Sequence, residues 1–334
     1  MSAFLRRLRP DPYIVALLTM VALASALPAR GVVEDVLDQL IVVAIGLLFF
    51  LYGARLSTET VIAGIRHWRL HLAVLASTFV LFPLLGLAVR LLPESVLSAE
   101  LAAGVLFLCL LPSTVQSSIA FTSIAKGNVA AAICTASLSN VLGVVLTPVL
   151  VAVLLSDTGM SFSGGTVLRI VVQLLVPFAL GQALRPWIGG FVGRHKTVLG
   201  LLDRGSILLV VYTAFSGAVV AGVWSELAGW DLAALVAVCV VLLVVVLAVT
   251  TFAARKLRFP REDRITIIFA GSKKSLATGV PMATVLFAGT GAGLVILPLM
   301  LFHQLQLIVC AVLARRWGAS APVTPPTAPA PATV

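Results

Sequence analysis

Charge is what this chain has least of. Only 11% of its 334 residues are charged, less than half of the roughly 25% usual in a soluble domain. Acids are rarer still than bases, 13 Asp and Glu against 23 Lys and Arg. A water-soluble fold is excluded on that ground. Cysteine and histidine are too few and too scattered for a metal centre: Cys109, Cys134, Cys239 and Cys310 sit singly in apolar stretches, with no CxxC and no HExxH. There is no GxSxG, and GSKKS at 271–275 lacks the second glycine of a phosphate-binding loop. An enzyme, a disulfide scaffold and an ATP-driven pump all lose their usual signatures.

What fills the sequence instead is apolar: 60% of residues are hydrophobic and the mean hydropathy is +1.13. Runs of about 20 apolar residues, the length that crosses a hydrocarbon core about 30 Å thick, recur from end to end. Segments such as 232–249 show no two-residue alternation, so the runs are helices and not barrel strands. The chain reads as an all-α polytopic membrane protein with ten spans, at about 13–29, 37–56, 70–91, 100–125, 128–154, 166–187, 204–223, 232–254, 264–288 and 291–314. Most Lys and Arg then fall on one side, among them Arg55, Arg66, Arg69, Arg194, Lys196, Arg255, Lys256, Arg315 and Arg316, with Arg30, Arg90 and Arg169 on the other. The positive-inside rule puts both termini in the cytoplasm. Topology thus explains the net charge of +10, and the expected surroundings are a lipid bilayer and no nucleic acid.

FLRRLR before an apolar run has the outline of a signal peptide, but removing that run would leave nine spans with basic loops on inconsistent sides, so it is expected to stay. Residues 1–12 read as a cytoplasmic N-terminal segment, 13–154 as a first five-helix repeat and 155–165 as an extracytoplasmic linker. Residues 166–316 then form a second repeat, and 317–334 a disordered Pro/Ala-rich cytoplasmic tail. Because five is odd, the second half enters the membrane from the opposite face, giving a 5+5 inverted repeat of the kind transporters use.

The fourth and ninth spans carry polar interruptions at the same place in each half. In PSTVQSS, Pro112 has no amide hydrogen for the carbonyl of Leu108, and Ser113, Thr114, Gln116, Ser117 and Ser118 follow at once. A broken helix beside hydroxyl and amide groups is how lipid-buried sites for ions and polar ligands are built; the plainer reading is hydrogen bonding within and between helices. In GSKKSLATGVP, Lys273 and Lys274 stand near the membrane centre between Gly271 and Pro281, flanked by Ser275 and Thr278. Each costs roughly 2.5 to 3.5 kcal/mol there on insertion scales. All the acids can be assigned to loops or span ends, so the lysines have no acidic partner. Three compensations are open: an amine neutral part of the time, an anionic substrate, or carbonyls at broken helix ends. The fifth span adds Thr135, Ser139 and Asn140; Gln173, His303, Gln304 and Gln306 are weaker candidates that helix packing explains.

The stretch LLPSTVQSSIAFTSIAKGNVAAAICTASLSNVLGVVLTPVL, followed by FAGSKKSLATGVPMA, resembles the bile acid:sodium symporter superfamily, in the branch typified by solute carrier family 10 member 7 and its bacterial relatives. The likeness spans residues 10–316. It implies a panel domain and a core domain, with the fourth and ninth helices broken and crossing at the substrate and ion site. In the sodium-coupled branch a Glu-Thr-Gly-x-Gln segment supplies two sodium ligands; here Ala277 and Pro281 stand in those places. Sodium would have to rely on neutral oxygens such as those of Ser113, Asn140 and Thr278, and a lysine ammonium is expected to fill space that sodium fills in relatives. The expected function is secondary transport of a small organic anion across a bacterial plasma membrane, with Na+ or H+ as the coupling ion if there is one. The alternative is a membrane regulator or sensor that binds a small ligand without transporting it.

Overall fold

The computed structural model describes residues 12–55, 67–155, 164–220, 222, 229–287 and 292–320. Every element among them is helical. In chain order they are α1 (Pro12–Ala26), α2 (Val32–Arg55), α3 (Trp68–Val89, interrupted by a π turn at Ser77–Leu81), α4 (Ala99–Leu110), α5 (Val115–Ile124) and α6 (Val129–Leu154). There follow α7 (Gly164–Arg194), α8 (Lys196–Val220), α9 (Gly229–Lys256), α10 (Arg261–Gly271), α11 (Leu276–Leu286) and α12 (Ala292–Ala319). The tail from 321 and the segment 1–11 lie outside the described residues.

Six helices are long and apolar enough to cross a bilayer: α2, α3, α6, α8, α9 and α12. The pair α4 and α5, bent by 64° at the break, makes a seventh. Helices also stand at the other three expected places, but α1 is short, α7 carries Gln173, Gln182 and Arg185, and α10 begins with Arg261, Glu262, Asp263 and Arg264. Four boundaries move by five residues or more. The second passage begins at Val32, not near 37, and the sixth, α7, runs to Arg194, past the expected 187. The seventh passage, α8, starts at Lys196, not near 204, because the basic stretch after Arg194 is helical. The last helix runs to Ala319, past the expected 314, because Trp317 packs on Phe269 (ring centroids 5.3 Å apart) and its carbonyl accepts from Arg261 at 2.7 Å. Glu34, Asp35 and Asp231, expected in loops, lie in the first turns of α2 and α9, where a helix favours negative charge.

The helices form two groups. In the smaller, α2 packs on α7, α1 on α8 and α8 on α2. In the larger, α12 packs on α4 and α5, and α10 on α3, α5 and α6; α9 and α11 complete it. Buried aromatic pairs knit its interior: Phe82 lies edge-on to Phe302 with centroids 6.0 Å apart, and Phe107 to Phe287 at 5.2 Å. The outer faces expose Leu and Val, among them Val43, Leu72, Val153 and Val241. Apolar faces of that extent are stable only in lipid.

Hydrophobic burial does not drive helix association once the surroundings are lipid, so close backbone approach matters more. α2 and α7 meet through reciprocal glycines. A Cβ on Gly53 would lie 2.0 Å from the carbonyl oxygen of Phe178, and one on Gly181 would lie 1.9 Å from that of Phe50. Backbone on backbone cannot yield as a side chain can. Gly53→Ala is therefore expected to cost about 1 to 3 kcal/mol, lowering the thermal unfolding midpoint in detergent by several degrees. Gly46→Ala on the same helix, where a Cβ meets nothing within 4 Å, should leave the midpoint unchanged or slightly raised. Equal effects of the two substitutions would contradict this packing.

Candidate functional site

A helix that breaks inside a membrane releases carbonyls that no water reaches, so each must find a donor within the protein. At the end of α4 the carbonyls from Leu108 to Ser113 all do. The Leu108 carbonyl, which Pro112 cannot serve, takes the amide of Leu111 at 3.4 Å. Cys109 loses its helical donor because the Ser113 amide donates instead to Ser139 Oγ at 3.0 Å; its carbonyl accepts from Lys274 Nζ at 2.8 Å. Leu110 accepts from Thr147 Oγ1 at 2.8 Å, and Leu111, already extended, from Lys274 Nζ at 2.7 Å. Pro112 accepts from the Ser275 amide at 2.9 Å, and Ser113 from Asn140 Nδ2 at 2.8 Å.

The second break, between α10 and α11, lies against the first and is closed from it. Ser113 Oγ donates to the Ala270 carbonyl at 2.6 Å, Thr114 Oγ1 to that of Lys274 at 2.7 Å and Ser118 Oγ to that of Phe269 at 3.4 Å. From α3, Ser77 Oγ donates to the Gly271 carbonyl at 2.7 Å. Ser275 caps α11, its hydroxyl accepting from the Thr278 amide. The carbonyl of Ala277, freed by Pro281, takes Tyr52 OH at 3.2 Å, a hydrogen bond that reaches across from the smaller helix group.

Both lysines are fully buried, at 0% exposure, but in different settings. Lys274 Nζ has a third acceptor, the Thr78 carbonyl at 2.9 Å. That carbonyl is free for a local reason. In the π turn the Phe82 amide donates to Ser77, and the next nitrogen, Pro83, has no hydrogen. The ammonium also lies 4.1 Å from the Phe82 ring centre. Lys273 Nζ donates to the Ser117 carbonyl at 2.9 Å and otherwise faces rings, Phe121 at 3.8 Å and Phe269 at 5.5 Å. Gln306 of α12 clamps the Lys274 backbone, its Oε1 accepting from the amide and its Nε2 donating to the carbonyl, each at 2.9 Å.

Of the residues singled out in the sequence, Ser113, Thr114, Ser118, Ser139, Asn140, Lys273, Lys274 and Ser275 meet at the crossing. Ser117 is there through its carbonyl, and its hydroxyl has no hydrogen-bond partner among the described residues. The Thr278 hydroxyl is likewise buried and unpartnered. Gln116 is exposed on α5. Thr135 belongs elsewhere: its hydroxyl pairs with Nδ1 of His71, a buried side chain of α3. Two of the three neutral groups considered for a cation, Ser113 and Asn140, are engaged in tying the breaks together. Sequence reasoning missed Thr78, Ser77, Thr147 and Tyr52 and ranked Gln306 too low; Pro83 was the available signal for Thr78.

A sequence profile of the SBF-like CPA transporter family matches residues 11–319. The chain is 52% identical to "Putative symporter YfeH" of Escherichia coli (strain K12), over 92% of each protein. Against the sodium/bile acid cotransporter 7 of Rattus norvegicus the identity is 28%, over 92% of this chain and 93% of the other. It is 56% identical to the uncharacterized protein PA2026 of Pseudomonas aeruginosa, over 93% of this chain and 94% of the other.

The clamp by Gln306 is open to test. Gln306→Leu leaves the buried Lys274 amide unpaired, a penalty of roughly 1 to 3 kcal/mol, and should lower the unfolding midpoint by several degrees. Gln116→Leu, on an exposed position, is the control and should not. A Gln306→Leu protein as stable as the parent would show that the clamp holds nothing.

Proposed function

This chain belongs to the SBF-like CPA transporter family, and on that premise we propose that it is a secondary transporter that moves a small organic anion through the membrane by alternating access. It is an integral membrane protein of a non-enzymatic, symporter-type family. In the proposed arrangement ten passages form two inverted five-helix repeats, 13–154 and 166–316, with both termini in the cytoplasm and the protein in a bacterial plasma membrane. Two observations support this layout. The breaks fall in the same place in each half, and the pairings between halves come in reciprocal sets: α2 with α7 answers α1 with α8, and α12 with α4 and α5 answers α10 with α6.

The observation that carries the transport reading is the contact of two helix breaks around two ammonium groups, with no carboxylate bonded to either among the described residues. Such a centre is positive and buried. Lys274 is matched by three carbonyls and Lys273 by one, so Lys273 is the group an anion would relieve, and the two helix groups are the bodies that would open it to each side in turn. Tyr52, on the smaller group, holds a carbonyl of the broken ninth passage, so relative motion of the groups acts on the crossing itself. With Ala277 and Pro281 in place of acidic and amide ligands, a fixed ammonium takes the part that sodium plays in the coupled branch, and transport proceeds without sodium.

One observation favours the second reading, a regulator that binds a small ligand without flux: both ammoniums are already held by protein groups, and a cavity of about 490 Å3 beside Arg55 and Arg185 lies away from them. Uptake into proteoliposomes separates the two. A panel of labelled carboxylates, sulfonates and sulfates is presented with and without a sodium gradient. At least one anion is expected to accumulate independently of sodium, and Lys273→Ala to reduce its uptake at least tenfold with insertion intact. Uptake that follows the sodium gradient steeply, or wild-type rates in Lys273→Ala, would refute the proposal, and ligand-induced stabilisation without any flux would favour the regulator.

A further inference from the structure

The three donors of the Lys274 ammonium are matched by three main-chain oxygens, Leu111 at 2.7 Å, Cys109 at 2.8 Å and Thr78 at 2.9 Å. None is a side-chain group, and none carries formal charge. Each was released by its own local device: the extended backbone at Leu111, the diversion of the Ser113 amide to Ser139, and the π turn followed by Pro83. Each carbonyl is also positioned by contacts other than the lysine. Thr147 fixes the Leu110 carbonyl between the oxygens of Cys109 and Leu111, Asn140 and Ser139 fix Ser113, and the Phe82 amide fixes the π turn. Converging backbone carbonyls that replace an ion's hydration shell are how proteins bind monovalent cations.

We infer that the carbonyls of Thr78, Cys109 and Leu111 form a binding site for a monovalent cation of ammonium size, kept filled by the tethered ammonium of Lys274, so that shortening this side chain opens the site to a free cation. The site is structural. Its occupant holds α3, the broken fourth passage and the broken ninth passage together. Lys273 differs: one carbonyl and two aromatic faces hold it, and its loss leaves no carbonyl cage behind. The inference does not rest on the transport reading, because its readout is stability in the absence of any substrate.

The test uses the full chain purified in detergent, comparing Lys274→Ala in choline chloride, sodium chloride, ammonium chloride and methylammonium chloride. In choline the variant is expected to unfold well below the wild type or to be recovered poorly by size exclusion. Tens of millimolar ammonium or methylammonium should raise its midpoint by about 5 °C or more, or restore its recovery. Wild type and Lys273→Ala should show no such response. Lys274→Met, which fills the channel of the side chain without charge, should be destabilised and unresponsive. The inference is overturned if Lys274→Met is as stable as wild type. It is also overturned if ammonium neither stabilises nor rescues Lys274→Ala, or if all variants respond alike.

Discussion

The structure depends on one constraint: a carbonyl exposed by a broken helix in lipid has no water to turn to. Leaving a buried acceptor unpaired costs roughly 1 to 3 kcal/mol. Three such carbonyls around Lys274 therefore represent a penalty at least as large as the roughly 2.5 to 3.5 kcal/mol for placing one Lys at a membrane centre. Each penalty offsets the other. Ammonium and broken helix are each unfavourable alone and tolerable together. Placed in an unbroken span, Lys274 would have only the faces of the membrane to reach for, and without Lys274 the break would carry two orphaned oxygens and the π turn of α3 a third.

The remaining polar side chains extend the same solution. Serine and threonine hydroxyls from four helices or breaks, Ser77, Ser113, Thr114, Ser118 and Thr147, each close one carbonyl of the two breaks. Their short side chains let the breaks lie against each other, where longer ones would hold them apart. The result is a polar knot inside the larger helix group, reached from the smaller group by the hydroxyl of Tyr52. The glycine contacts between α2 and α7 bring the backbones of that smaller group into direct contact.

Much of this was legible in the sequence, and the limits have physical causes. Pro112 and the run Gly271 to Pro281 announce both breaks because proline removes an amide and glycine weakens the helix. The crossing itself was implied only by family resemblance, since helical periodicity says nothing about which breaks meet. Of the three compensations open for the lysines, the structure displays carbonyls. The Thr78 oxygen was hidden because a π turn depends on packing against the rest of the bundle, and Pro83 next to it reads equally well as an ordinary kink. Gln306 looked like a packing residue because its role, clamping an irregular backbone, emerges only once that backbone is placed. Thr135 went astray for the opposite reason. It shares a helix with Ser139 and Asn140, but it sits a turn further toward the basic end, where His71 is its neighbour.

The central claim is that the Lys274 ammonium is sealed within the bundle by main-chain carbonyls, and amine acylation of the folded protein in membranes, mapped by mass spectrometry, addresses it most directly. Lys126 and Lys256 are exposed and should react readily, while Lys274 should remain unmodified until the protein is denatured. Modification of Lys274 in the folded protein at a rate near that of Lys256 would mean that the amine reaches water, which a sealed carbonyl cage forbids.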